Sequence, residues 1–274
     1  MNAADASATV TILGAGTLMP DAGRTSAAHH LRVGGASLLL DCGAGTVHGF
    51  ARHGVAWRDL THVAITHYHN DHIGDLPAML FALKHGVGGQ RAEPLTMIGP
   101  RGFQTRLERL ASAFGDHVLD PGFPVRVIEV DPGRAYEAPD DSLRIECLRT
   151  PHTDESLAYR VEGTWGTLGY TGDTGPSDEV ASFLAGCDAL IAECTLPDAR
   201  AVDTHLTPRS LAELAGLARP ALLIVVHVTP YHTPADAVRR VSERYEGRVV
   251  AAADGLRVRL GSDGPDVDPL PSGL

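Results

Sequence analysis

The chain has 274 residues, 43% of them hydrophobic and 21% charged, with a formal net charge of −11. That length suits one large domain or two small ones, and no run of about 18 apolar residues exists to span a membrane. The acidic balance makes a nucleic acid polymer an unexpected partner without a local basic patch. Residues 1–5 lack a secretory n-region, and Cys42, Cys147, Cys187 and Cys194 lack a Cys-x-x-Cys pair, so reduced thiols in a cytoplasmic protein are expected. Fourteen histidines are the anomaly.

Residues 8–13 read as the first strand. Gly14-Ala15-Gly16-Thr17 follows it, but the third glycine of a dinucleotide loop is missing and Pro20 spoils a helix start, so that reading is rejected. A hairpin is expected from residues 29–33 and 36–40 about Gly34-Gly35, with Asp41 emerging from its buried second strand. A helix over 46–53 leads to the apolar strand Val63-Ala64-Ile65. Directly after it stands Thr66-His67-Tyr68-His69-Asn70-Asp71-His72.

In an extended chain alternate side chains share a face, so His67, His69 and Asp71 are expected to point together. His72 then opens a helix with Ile73, Leu76, Met79, Leu80 and Leu83 at helical spacing. Three imidazoles and a carboxylate within six positions exceed what one divalent ion needs. His67 and His69 suit one ion, Asp71 and His72 a second. The donor chemistry favours zinc, then iron, nickel or manganese. A solvated His-rich loop would not explain delivery by a buried strand.

Further strands are expected at 94–98, 124–130, 143–148, 156–161, 167–170, 188–192, 221–226, 249–253 and 256–260. Helices are expected at 101–114, with Leu107, Leu110, Ala111 and Phe114 on one face, from Pro208 through Leu217 behind an N-cap at Thr207, and at 234–245. Residues 261–274 read as a loose tail. Read alone, His152 between two strands is either a surface residue or a ligand, and Asp173 beside Gly172 either a turn former or a ligand. Glu193 at a strand end and His205 before a helix are either a structural pair or a functional one. His227 closes a fully apolar strand and points into a site. Histidines 29, 30, 48, 53, 62, 85, 117 and 232 show no partner pattern and are mostly expected at the surface or in packing, with His30 and His232 open as cleft residues.

The His67–His72 run resembles the His-x-His-x-Asp-His signature of the metallo-β-lactamase superfamily, a set of mostly dinuclear metal hydrolases. Residues 13–20 are similar to the Leu-Gly-x-Gly-Thr-x-x-Pro turn of its ribonuclease Z-like branch, and Arg24-Thr25-Ser26 falls near that branch's Arg-Asn or Arg-Ser pair. Ala158-Tyr159-Arg160 after His152, and Tyr170-Thr171-Gly172-Asp173-Thr174, match its later motifs. The resemblance covers nearly the whole chain. It implies one αββα sandwich domain over residues 1–274, two mixed sheets flanked by helices, with an ordered core at about 8–260. It implies a first ion on His67, His69 and His152, a second on Asp71, His72 and His227, and Asp173 bridging. Asp41 would orient ligands from behind, and His205, partnered by Glu193, would stand near the scissile group.

The implied chemistry is metal-assisted hydrolysis, with two ions acidifying a shared water; two cations and a protonatable histidine favour a phosphodiester. The branch's transfer-RNA-gripping arm is inserted between the third histidine and the bridging aspartate. Only about twenty residues separate His152 from Asp173 here, so a small or cyclic phosphodiester is expected over transfer RNA. Thioester, lactone and aryl sulfate hydrolysis are the alternatives on the same ions. Diiron oxygen-reducing relatives usually have an acidic ligand where His69 stands, and append a flavin domain. A homodimer, common among relatives, is left open.

Overall fold

The computed structural model describes residues 7–86 and 91–268. The first part of the chain forms β1 (Ala8–Gly14), β2 (Ala28–Val33), β3 (Ala36–Leu40), β4 (His62–Ala64), β5 (Leu95–Pro100) and β6 (Val125–Val130). Among them lie α1 (Thr46–Arg52), α2 (Asn70–Ile73), α3 (Leu76–His85) and α4 (Phe103–Phe114). The second part forms β7 (Tyr136–Glu137), β8 (Arg144–Arg149), β9 (Leu157–Gly163), β10 (Gly166–Tyr170), β11 (Ala189–Glu193), β12 (Leu222–Val226) and β13 (Val249–Ala251). It carries α5 (Asp178–Phe183), α6 (Pro208–Ala218) and α7 (Pro234–Ser242), then β14 (Arg257–Leu260) and β15 (Asp266–Val267).

Two mixed sheets result, one ordered β15-β14-β1-β2-β3-β4-β5-β6 and the other β13-β12-β11-β10-β9-β8-β7. The uninterrupted apolar runs explain the parallel stretches. β11 and β12 are buried along their whole length, as strands covered on both faces must be. One core fills the space between the sheets, with Leu31, Leu38, Tyr159, Val161 and Ile224 in it. A second lies under the helices of the first sheet, around Leu39, Phe50, Leu80 and Leu107. The third lies under α5–α7, around Leu190, Leu211, Leu214 and Val241. The layers are therefore helix, sheet, sheet, helix, as the resemblance implied. No helix among the described residues is long and apolar enough to cross a membrane.

α6 begins as its sequence dictates: the Thr207 side chain accepts from the Ser210 N–H, Ser210 reciprocates, and Pro208 takes the first turn. Gly14 answers a different need, because a Cβ there would sit 1.9 Å from the Ser26 carbonyl oxygen. The glycine lets two backbones touch.

Several expectations are corrected. Extended chain ends at His69, the N-cap of α2, so Asp71 lies in a helical first turn and reaches the site from there rather than by strand alternation. The single long helix is two, because the chain is diverted at Gly74-Asp75. Cys42 donates its N–H to the His72 carbonyl at 2.7 Å, the Asp75 N–H returns to the Cys42 carbonyl, and the Asp75 carboxylate accepts from Gly45 and Val47. Phe114 is 60% exposed and Leu217 52%; α6 turns Leu211, Leu214, Ala215 and Ala218 inward, which leaves Leu217 off that face. The tail is not wholly loose: β15 pairs with β14, Val258 opposite Val267, and Arg259 ion-pairs with Asp266 and Asp268. Residues 269–274 lie outside the described residues. The reading also missed β7, only two residues long, and α5, a polar helix capped by Ser177.

Candidate metal centre

The ends of strands from both sheets decide where the polar residues gather. The loop after β4 brings His67 and His69, α2 brings Asp71 and His72, the loop after β8 brings His152, the end of β10 brings Asp173, and the end of β12 brings His227. Two groups form, His67 with His69, His152 and Asp173, and Asp71 with His72 and His227; within each, donor atoms lie within 4.8 Å of one another. All seven residues of the implied ligand set therefore converge.

Asp173 faces both groups. One carboxylate oxygen is 3.9 Å from His67 Nε2 and 3.6 Å from His152 Nε2; the other is 3.3 Å from His72 Nε2 and 3.6 Å from His227 Nε2. The first group turns Nε2 of His67 and of His152 toward Nδ1 of His69, each 3.1 Å from it. In the second, His227 Nε2 is 3.1 Å from Asp71.

Behind these atoms each imidazole except His69 has its other nitrogen committed. His72 Nδ1 donates to Asp41 at 2.7 Å. His67 Nδ1 meets the Thr66 hydroxyl, which itself donates to Asp41. His152 Nδ1 donates to the Thr204 carbonyl at 3.0 Å, and His227 Nδ1 meets the Thr195 hydroxyl, whose proton goes to Glu193. Such partners fix tautomers and leave the site-facing nitrogens with free lone pairs. Asp41 also accepts from the Thr66 N–H and the Tyr170 hydroxyl and has φ 60°, a left-handed conformation.

Electrostatics fits a cation. Burial, with the positive charge of His72, pushes the His67 pKa down to about 2, so its ring is neutral. Burial also lowers His152. Burial opposes ionisation of Asp173, yet His227 and His72 outweigh it and hold the carboxyl well below its usual range; Asp71 is lowered in the same way by His227 and His72. His72, although burial opposes its charge, is raised well above the ordinary value by Asp173 and Asp41. A proton held there marks a place where positive charge is favoured. His72 Nε2 and Asp173 Oδ1 are buried without a hydrogen-bond partner, which is costly unless something binds between them. Imidazole and carboxylate donors suit a divalent ion such as zinc, so these residues fit the implied group.

His205 stands beside the ligands, its donor atom grouped with those of Asp173 and His227. Its Nδ1 donates to Glu193 Oε1 at 2.9 Å. Burial lowers its pKa, but the Glu193 hydrogen bond and charge prevail and raise it. Glu193 is fully buried and also accepts from the Thr174, Thr195 and Leu206 N–H groups. A cleft of about 300 Å³ opens over these groups, rimmed by Leu18, Met19, Asn70 and Thr229; its described lining contains no lysine or arginine.

His30 and His232 do not line the cleft. His30 is buried against Phe50 with Nε2 on the Ser37 hydroxyl, and His232 Nε2 reaches the Cys194 carbonyl. Arg24 ion-pairs with Asp21 and Ser26 donates to the Thr17 carbonyl, so that loop is a structural one. His29 is a packing residue, as expected of a histidine without a partner pattern. It is fully buried edge-on to Tyr170 with neither ring nitrogen partnered, and burial, with His72 and His227, pushes its pKa to about 3. Thr195 and Tyr170 are further supports of the site: Tyr170 is the first residue of the Tyr170–Thr174 motif, and Thr195 stands two residues after Glu193.

Residues 37–228 match the model of the family described as the beta-lactamase superfamily domain. The chain is 28% identical over 276 residues to a ribonuclease Z of Mycobacterium bovis (strain BCG / Pasteur 1173P2), covering 93% of this chain and 95% of that one. Its structure is similar to the metallo-beta-lactamase fold protein YhfI of Bacillus subtilis, with TM-score 0.80, 23% identity, and 93% and 99% of the two chains covered. It is also similar to the short form of human tRNase Z, with TM-score 0.73, 24% identity, and 91% and 98% covered.

Proposed function

The chain belongs to the beta-lactamase superfamily and is a metal-dependent hydrolase of that fold; from that premise we propose that it cleaves phosphodiesters, of a small or cyclic kind. The observation that carries this reading is His205. It is a histidine outside both ligand groups, held toward protonation by a buried carboxylate and facing the same opening as Asp173 and His227.

Two divalent ions held by His67, His69, His152 and by Asp71, His72, His227, with Asp173 between them, would supply activation of water and neutralisation of phosphoryl charge. The chain's own residues do the rest. Glu193 holds the His205 ring through Oε1 and, through Thr195, the His227 ring through Oε2, so one carboxylate aligns a proton donor and a ligand. As water oxygen bonds to phosphorus and the ester P–O bond breaks, His205 gives its proton to the leaving oxygen. The proton released by the attacking water leaves through the site, and His205 is reprotonated for the next turnover. Asp71, lowered in pKa by His227 and His72, stays ionised and would help to hold the second ion.

The size of the substrate is argued from the cleft. A polymeric RNA needs cations along its backbone, and the described lining offers none, while Leu18 at 63% and Met19 at 40% exposure give it an apolar lip. β9 and β10 are joined by a tight turn, Gly163 opposite Gly166, so no arm extends between His152 and Asp173. A second reading, cleavage at the 3′ end of a transfer RNA precursor, is favoured by the M. bovis relative, which is called ribonuclease Z and aligns over nearly its whole length. The test is turnover of bis(p-nitrophenyl) phosphate and cyclic nucleotides against a transfer RNA precursor, acyl-CoA and an aryl sulfate, with His205→Ala beside wild type. Fast phosphodiester turnover that His205→Ala slows, without transfer RNA cleavage, supports the first reading. Preference for the precursor RNA selects the second. Strong acyl-CoA or sulfate cleavage without phosphodiester turnover refutes both.

A further inference from the structure

At the opposite end of the eight-stranded sheet lies a second cavity, of about 450 Å³, larger than the cleft over the metal centre. The starts of β4, β5 and β6 and the β2–β3 turn line it, whereas the ligands follow the ends of strands. Five residues of extended chain separate His62 from His67, about 16 Å, so it is not an annex of the metal site.

Four arginines line this cavity, Arg32, Arg58, Arg91 and Arg126, against two carboxylates, Asp59 and Glu93. A local excess of positive charge is notable in a chain of net charge −11. The arginines do different work. Arg91 is tied to the carbonyl oxygens of Arg58, Leu60, Glu93 and Pro94, which stiffens the wall. Arg32 has only a long contact, 3.4 Å, with Asp59. The Arg58 guanidinium lies over the Trp57 ring. Among the described residues neither the Arg58 nor the Arg126 guanidinium makes a hydrogen bond or ion pair.

The floor is polar and ordered. Thr61 accepts from the Ser37 N–H and gives its proton to the Ser37 carbonyl, so His62 Nδ1 donates to it at 2.7 Å. His62 Nε2 is then an acceptor, and the Tyr136 hydroxyl of the other sheet donates to it at 2.9 Å, leaving the phenol oxygen free to receive a bond. Tyr136 and His62 are buried. A cavity within the usual 300–1,000 Å³ range, with a rigid polar floor and uncommitted guanidinium forks at its mouth, has the make-up of a small-molecule site. Such forks match phosphoryl oxygens two at a time.

We propose that this cavity binds a small phosphorylated molecule, its phosphoryl group held by Arg58 and Arg126 with Arg32 beside them. The proposal is independent of the reaction at the metal centre.

Pyrophosphate, inorganic phosphate and adenosine monophosphate would be titrated calorimetrically into the full-length, metal-loaded protein, since the metal centre also attracts phosphates. Wild type is compared with the double variant Arg58→Gln/Arg126→Gln, whose exposed positions do not disturb the core. Expected is a binding event that the double variant weakens at least tenfold, with Arg126→Lys, which keeps the charge but not the fork, weakening it in part, while bis(p-nitrophenyl) phosphate turnover and the ligand-free melting temperature stay at wild-type values. Inorganic phosphate binding as tightly as the nucleotide would mean that the phosphoryl group alone is recognised. Tighter nucleotide binding would mean that the cavity also takes the organic part. Unchanged stoichiometry and affinity in the double variant would assign all phosphate binding to the metal centre and overturn the proposal, as would no binding by wild type at millimolar concentrations.

Discussion

Asp41→Asn is the sharpest probe of how the metal centre is built. The Asp41 Oδ2 atom accepts three bonds, from His72 Nδ1, the Thr66 hydroxyl and the Tyr170 hydroxyl, each at 2.7–2.8 Å. An amide cannot accept three donors at that point; if its oxygen keeps the Thr66 N–H, its NH₂ faces all of them. The two hydroxyls can turn, but the imidazole can only change tautomer, moving its proton to Nε2, the atom that faces Asp173. Loss of two charge-assisted bonds in a fully buried place costs about 3–4 kcal/mol. Mis-set tautomers typically weaken metal binding about 10–100-fold. The backbone is not a confounder, since Asn tolerates the left-handed φ of 60° at this position. The assay is metal per chain by plasma mass spectrometry at limiting metal, together with chemical denaturation. Expected are a loss of the ion associated with His72 before the other, and a lower denaturation midpoint at unchanged slope. Full metal content and unchanged stability would refute the reasoning that Asp41 sets the His72 tautomer.

Four further outcomes are expected. His205→Ala should lower kcat by about 10²–10⁴ with metal content intact; equal loss of metal would instead make it a ligand. Chelation should abolish turnover and lower the melting temperature by roughly 10 °C, because each ion at hundredfold excess over Kd contributes about 2.7 kcal/mol; scanning calorimetry with and without zinc reads this. His30 is buried with its pKa pushed down to about 4, while the unfolded imidazole takes its proton near 6.5. The unfolded state therefore binds more protons in that window, and stability falls as pH drops from about 6.5 to 4, by about 3 kcal/mol from this residue; His30→Gln should flatten that slope in urea titrations at several pH values. Gly43→Ala should destabilise the protein and weaken metal binding, since a Cβ there would lie 2.0 Å from the Asp71 carbonyl oxygen; wild-type metal affinity would show that the loop yields freely.

The convergence of these side chains was legible best where a residue follows an apolar run bounded by polar residues, the most readable object in a sequence. His227 after Leu222–Val226 and Asp173 after β10 are of this kind. Asp71 was placed in the site for a partly wrong reason, because period-two alternation was extended past His69, where Cys42 and Asp75 already draw the chain into a helix. Such long-range backbone bonds leave no periodic trace. The same holds for His29, which looks like any strand histidine until Tyr170 is laid across it. The tail composition was read as disorder, yet two residues of it complete an edge strand through Arg259 and its carboxylate partners. The arginine cavity was invisible for a simpler reason: Arg32, Arg58, Arg91 and Arg126 are scattered in sequence, and only the sheet order collects them.

The division of the ligand residues between the two sheets bears on the order in which this protein matures. His67, His69, Asp71 and His72 belong to the first sheet and its helices, while His152, Asp173 and His227 hang from the second. Neither sheet alone supplies all the donor atoms of either group, and His67 and His227 are 160 positions apart. Pairings of such separation form late, after chain closure has been overcome. Ion capture at full affinity is thus a report that both sheets have met, and an ion once captured acts as a rivet across the seam. Refolding followed at once by tryptophan fluorescence and by a chromogenic zinc chelator should show the core assembling first and the metal leaving the chelator afterwards, with no lag between ion uptake and the onset of turnover.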